Sequence, residues 1–295
     1  YQDSQGRIWV GLLGGGLNLI SEANGTIAFK HKYNGLKQYP LYGLYMEVRT
    51  MTEDNDGRIW VGTMDGLMSF DGHFTNPEEI QFETYRQVSE RSNVADNDIY
   101  VLYKDSESQI WVSVFGGGLN KLVHYDKERR VPVFKSYGIR EGMNNDVVKS
   151  IVEDKDGNLW FTTEIGLSCF NKDTEQFRNY DRYDGFLNVE LEESSALRTL
   201  SGDLWLGSRQ GILTFSPNKL ETQNMNYDTR IVDFKISNRD LRSFHEDPVL
   251  KESITFADAI RLKYNQSMFT IEFAALNFYN PNRVFYRYIH EGYEK

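Results

Sequence analysis

The chain has 295 residues, is 40% hydrophobic and 26% charged, and carries a formal net charge of -10 at pH 7. That is the composition of a soluble globular protein, long enough for one large domain or two ordinary ones. The acidic balance excludes a nucleic-acid partner, because phosphate binding needs a basic surface, and the single cysteine, Cys169, excludes an internal disulfide and reads as a buried thiol in the strand-like run GLSCF.

The first residues, YQDSQGRIWV, enter in the middle of a repeat, and the last, RYIHEGYEK, stop without a terminator. A piece cut from a longer protein is therefore expected, and no secretory leader or run of 18 apolar residues is visible in it. Trp9, Trp60, Trp111, Trp160 and Trp205 recur at spacings of 51, 51, 49 and 45 residues, and they are all the tryptophans of the chain. A fixed period in this range marks a repeat architecture. The copies read DSQGRIWVGLLGGGLNLI, DNDGRIWVGTMDGLMSF, DSESQIWVSVFGGGLNKL, DKDGNLWFTTEIGLSCF and LSGDLWLGSRQGILTF. Each joins two short, alternating, β-rich runs through a Gly-containing turn, which predicts a pair of strands.

Upstream of four Trp runs lies another strand candidate: residues 47–53, 99–104, 147–153 and 194–200. It meets the Trp strand at a tight polar turn. Asp56-Gly57 and Asp156-Gly157 suit a primed hairpin turn there. Downstream comes a fourth run ending in aromatics, at Phe82 to Tyr85, Phe134 to Tyr137 and Phe177 to Tyr180. Four short strands per fifty residues predict β-propeller blades. The tryptophans are expected in the core between blades. The GGG runs, Gly14 to Gly16 and Gly116 to Gly118, are followed by strands, so they are not phosphate loops. The acidic turns EDNDG and EDKDG fail as calcium loops, since both ends of the ligand pattern are wrong.

After Pro217 the pattern changes, and residues 217–295 read as a linker and a second, incomplete domain following blades over residues 1–216. Strand candidates there are residues 230–238, 260–264, 269–273 and 284–289, whose alternation suggests a sandwich.

The repeated D-x-G-x-I/L-W-V-G-T/S…G-L-x-x-F pattern resembles the two-component regulator propeller repeat. The segment LKYNQSMFTIEFAALNFYNPNRVFYRYIHEGYEK, with Tyr286 and Tyr288, resembles the opening half of an immunoglobulin-like Y_Y_Y domain. In this order the two resemble the ectodomain of hybrid two-component sensor histidine kinases. The resemblance implies a seven-bladed ring, with about two blades expected upstream of Tyr1. It also implies a place on the periplasmic side of a bacterial inner membrane, anchored through segments downstream. A homodimer is implied in the full-length receptor, with kinase activity outside this fragment. The ligand expected is an oligosaccharide released from a complex glycan.

Call the strands of a blade a to d in chain order, with the Trp strand as b. The b–c and d–a connections then share one face, and the longer, more variable loops concentrate function there. The b–c loops offer Asp65, Phe115, Glu164 and Arg209, and the d–a loops offer Tyr39, Tyr42, Tyr45, Arg91, Asn93, Glu141 and Asn144. Of these, Tyr42, Tyr45, Asp65, Phe115, Glu164 and Arg209 are the candidate ligand contacts. Rings stack on apolar sugar faces, while charged and amide groups take up hydroxyls. No cofactor, metal spacing or catalytic constellation emerges: the five histidines are scattered, and Glu190, Glu192 and Glu193 read as a solvated charge run. A polysaccharide hydrolase or lyase with carboxylates from different blades, and a protein-interaction scaffold, remain as alternatives.

Overall fold

The computed structural model describes residues 1–23, 25–86, 97–180, 184, 189–220, 228–240, 254, 259–275, 286, 288 and 289. Two compact units divide the chain, Tyr1–Leu220 and Glu221–Lys295. Among the described residues every long element is a β-strand, and no helix is long and apolar enough to cross a membrane.

The first unit holds five antiparallel blades in chain order. Blade 1 is β1 (Trp9–Leu12), β2 (Gly16–Ala23) and β3 (Thr26–Lys30). Blade 2 is β4 (Val48–Glu53), β5 (Arg58–Thr63), β6 (Gly66–Asp71) and β7 (Glu83–Tyr85). Blade 3 is β8 (Ile99–Lys104), β9 (Ile110–Val114), β10 (Gly118–Asp126) and β11 (Val131–Tyr137). Blade 4 is β12 (Val148–Glu153), β13 (Leu159–Thr163), β14 (Gly166–Asn171) and β15 (Gln176–Tyr180). Blade 5 is β16 (Leu191–Arg198), β17 (Leu204–Ser208) and β18 (Gly211–Phe215). Each blade is a meander, the architecture the fifty-residue period calls for. Strand β16 starts earlier than its sequence pattern indicates, because a bulge between Leu191 and Ala196 holds Ser194 at φ +50° and adds residues to the strand.

The apolar core lies between blades. Trp9 packs with Phe70 of blade 2, Trp111 with Phe170 of blade 4, and Trp160 with Phe215 of blade 5, at centroid distances of 5.1, 5.7 and 5.3 Å. Trp60 joins Ile99, Leu102 and Leu122 of blade 3. Trp205 departs from the expectation that every copy is core: it is 41% exposed. The reason is the packing rule itself. Each Trp is covered by the blade that follows it, and no blade follows blade 5 among the described residues.

A second surprise is the acidic turn. The Asp six residues before each buried Trp accepts its indole N–H: Trp9 to Asp3 at 2.8 Å, Trp60 to Asp54 at 2.8 Å, Trp111 to Asp105 at 2.9 Å and Trp160 to Asp154 at 2.7 Å. The other carboxylate oxygen accepts two backbone amides of the turn, as Asp56 and Arg58 donate to Asp54. Blade 5 has Thr199 at this position. The turn is not the primed two-residue type. Gly57 is left-handed at φ +76°, Asp56 is not, and the Gly57 amide donates to the Asp54 carbonyl. This is a type I turn closed by a left-handed residue, the three-residue hairpin solution. In blade 3 Ser108 takes the left-handed position at φ +66°.

The a strands of blades 2 to 5 lie side by side. Leu102 donates its amide to the Thr50 hydroxyl and Ser195 donates its amide to the Ser150 hydroxyl, while Ser113 of the b strand of blade 3 donates its hydroxyl to the Val148 carbonyl. The glycine of the W-V-G motif permits this approach, since a Cβ on Gly62 would overlap the Ile99 and Thr50 side chains.

The second unit contributes one sheet, ordered β20-β19-β21, from β19 (Thr229–Ile236), β20 (Arg239–Asp240) and β21 (Phe269–Ala275). Phe234 and Phe269 stack across it at 5.6 Å, and the Tyr286 hydroxyl accepts the Ala275 amide at 2.8 Å. Residues 260–264 are irregular rather than strand. The expected strand over residues 284–289 falls largely outside the described residues.

Candidate functional site

The b–c and d–a connections of the first unit gather the candidate residues into three groups. The first surrounds Arg86, which follows β7. Its guanidinium pairs with the Asp65 carboxylate in the b–c loop of blade 2. It also lies over the rings of Tyr45 and Tyr42, at 5.4 and 5.9 Å from their centroids. Asp65 accepts the Leu44 amide at 2.8 Å, so it ties the loop ahead of β4 to its own loop. Tyr42 is 55% exposed and shares a 2.9 Å hydrogen bond with the Thr84 hydroxyl. Tyr45 corrects the sequence reading. It is 0% exposed and belongs to the core between blades 1 and 2, so it offers a ligand no surface. Tyr39 is buried as well and donates its hydroxyl to the Tyr45 carbonyl at 2.5 Å.

The second group sits on the inner strands. Arg49 of β4 pairs with Asp98 at 3.1 Å and with Glu193 of β16 at 2.6 Å, linking blade 2 to blade 5. Its guanidinium lies 4.7 Å above the ring of Tyr100 in β8. Phe115, in the b–c loop of blade 3, packs on Tyr100 at 5.6 Å and is exposed. Glu164, in the b–c loop of blade 4, is exposed, and its charge acts on the same tyrosine. Burial pushes the Tyr100 hydroxyl above its ordinary value, and Glu193, Asp98 and Glu164 push it the same way against Arg49. Lys149 of β12 reaches the Leu191 carbonyl at 3.3 Å.

Arg209 forms the third group. It pairs with Glu190 at 3.1 Å and Glu192 at 2.8 Å. With Glu193 on Arg49, all three glutamates of the run are solvent-exposed, as expected, and each also has a cationic partner. Asn144 accepts the Thr163 hydroxyl at 3.0 Å, and Glu141 accepts the Gly138 amide at 2.7 Å, so both serve their own loops. Arg91 and Asn93 lie outside the described residues. Among the described residues no cluster of His, Cys, Asp and Glu is placed to hold a metal ion.

Arg49, Tyr100, Lys149 and Arg86 are the residues that sequence reading passed over. The first three share a position: each follows the first residue of an a strand (Val48, Ile99, Val148) and is passed over in the pairing with the b strand, a bulge that the alternation of the sequence does not announce.

A family model described as two component regulator propeller matches residues 43–65 and 142–164, the a and b strands of blades 2 and 4. Those two stretches are similar to the two-component regulator propeller repeat. Over its whole length it is 29% identical to Histidine kinase P4 of Formosa agariphila, of which it spans 21%. Among solved structures, PorZ, a surface component of the type-IX secretion system of Porphyromonas gingivalis, is 15% identical with a TM-score of 0.55, covering 92% of this chain and 44% of that one. That likeness shows the propeller fold alone. An extracellular domain assigned to the hybrid two component system BT3049 of B. thetaiotaomicron is 20% identical with a TM-score of 0.45, covering 96% of this chain and 41% of that one.

Proposed function

We propose that this chain is the ligand-sensing part of the extracytoplasmic region of a membrane-anchored hybrid sensor histidine kinase, and that its loop face receives an oligosaccharide released from a complex glycan. The similarity of the chain to 21% of a histidine kinase supports the receptor reading. The observation that carries the ligand reading is the pairing of exposed aromatic faces with fixed charges. Tyr42 stands beside the Arg86–Asp65 pair, and Phe115 beside Tyr100, whose ring carries Arg49. A pyranose ring needs an apolar platform for its C–H face and oriented polar groups for its hydroxyls. Both groups supply these, and neither contains an activated nucleophile or a placed acid–base pair. The second unit would pass the change to the membrane through rearrangement of a homodimer.

Calorimetric titration of the complete ectodomain with oligosaccharides from different polysaccharides tests this. Saturable heat for one glycan class is expected, weakened by Tyr42→Ala or Phe115→Ala without loss of folded signal. Absence of heat across a broad panel from a folded protein would overturn the ligand reading. Release of reducing sugar during the titration would move the protein to the hydrolases.

A further inference from the structure

We propose that this loop face selects uncharged oligosaccharides and discriminates against those bearing uronate or sulfate groups. The inference rests on the oligosaccharide reading above and adds a ligand class to it.

An acidic sugar is normally held by a guanidinium with free N–H donors aimed at its carboxylate or sulfate. In the three groups described above the guanidinium groups are already paired; Arg140, exposed on the connection between blades 3 and 4, belongs to none of them. Arg86 is paired with Asp65, Arg49 is clamped between Asp98 and Glu193, and Arg209 between Glu190 and Glu192. To receive an anion, each would have to release a carboxylate, which then stands unpaired beside the incoming charge. Like charges brought together oppose binding, most where Arg49 is largely buried and least at the exposed Arg209 pairs. Lys149 has no carboxylate partner among the described residues, but it already donates to the Leu191 carbonyl.

The balance of the face points the same way. Among the described residues of the three groups, the carboxylates Asp65, Asp98, Glu164, Glu190, Glu192 and Glu193 outnumber Arg49, Arg86, Lys149 and Arg209. Tyr100 registers the excess, since three carboxylates act on it against one guanidinium. For an uncharged sugar the same groups are well suited. Carboxylate oxygens accept hydroxyl protons, ion pairing holds those carboxylates in place, and Tyr42 and Phe115 offer open ring faces. Neutral ligands leave every ion pair intact.

The test uses matched pairs. Oligogalacturonates are titrated into the complete ectodomain alongside their carboxyl-reduced forms, and sulfated oligosaccharides alongside their desulfated forms, together with neutral gluco-, manno- and xylo-oligosaccharides. Neutral ligands are expected to bind at least about tenfold tighter than a charged partner of the same length, with an affinity that salt leaves unchanged. The double variant D98N/E193Q frees Arg49 and should narrow that gap by about tenfold or more. A charged form that binds as tightly as its neutral partner, or tighter, overturns the selectivity while leaving the oligosaccharide reading in place. Failure of every oligosaccharide, charged or neutral, to bind the folded protein overturns the oligosaccharide reading and the selectivity with it.

Discussion

Replacing Asp154 tests the bond that joins turn and core. Its Oδ1 accepts the Asp156 and Asn158 amides, each at 2.9 Å, and its Oδ2 accepts the Trp160 indole at 2.7 Å and the Asn158 side chain at 3.1 Å. The residue is buried, and so is Trp160. A hydrogen bond to a charged group contributes roughly 1.5–3 kcal/mol, and a buried donor left without a partner costs about 1–3 kcal/mol. In Asp154→Ala the turn amides can turn to water, while the indole N–H, inside the interface between blades 4 and 5, cannot. We therefore expect a loss of about 3–4 kcal/mol, most of it from the indole and the remainder from the weakened turn. Asp154→Asn keeps one acceptor oxygen but sets an amide N–H₂ against either the indole or the backbone, so about 1–2 kcal/mol should be lost. Urea unfolding followed by far-ultraviolet circular dichroism measures both. An alanine variant within about 0.5 kcal/mol of the parent, the range of a neutral surface change, would show that the conserved geometry of the four turns is incidental to stability.

Trp160→Ala should cost about 3–5 kcal/mol, whereas Trp205→Ala, at a 41% exposed position, should cost under half as much in the same unfolding assay. Glu83 accepts hydrogen bonds from Arg58 and Tyr85 at 2.8 Å and from Tyr125 and Arg130 at 2.5 Å. Burial pushes its carboxyl up, but these tyrosines and arginines outweigh it and hold the group below its ordinary value of 4.5. A depressed folded pKa stabilises above the unfolded value and is lost as pH falls through the folded one. Glu83→Gln should thus cost about 1–2 kcal/mol at neutral pH, and the gap to the parent should close on acidification. Gly43 is left-handed at φ +60°, and a Cβ there would overlap the Asp65 carboxylate. Gly43→Ala should break the Asp65–Leu44 bond and lower oligosaccharide affinity about tenfold in calorimetry, with β content unchanged. Burial pushes the Cys169 thiol up to about 12. It should resist a thiol reagent at pH 8 in the folded protein and react on unfolding; rapid reaction of the native chain would contradict its placement between blades 4 and 5.

The blades were legible because packing imposes a local pattern. A strand buried on both faces between blades needs its Trp, its flanking apolar residues and its turn at fixed offsets, and each copy repeats them. The strand ends followed within a few residues, although bulges in β4, β8, β12 and β16 interrupt the alternation. The candidate site was only half legible. Exposed loop positions such as Tyr42, Phe115, Glu164 and Arg209 could be found by counting from the Trp. That Tyr45 turns inward while Tyr42 turns outward could not, because two tyrosines three residues apart in a loop have no period to separate them. Nor could chain order foretell that Arg49 meets Glu193, 144 residues later. Local sequence fixes how each blade is made, since its hydrogen bonds and alternation are internal to fifty residues. Only the stacking of blades decides which side chains meet on the inner strands, because that contact depends on the angle between blades rather than on any residue within one.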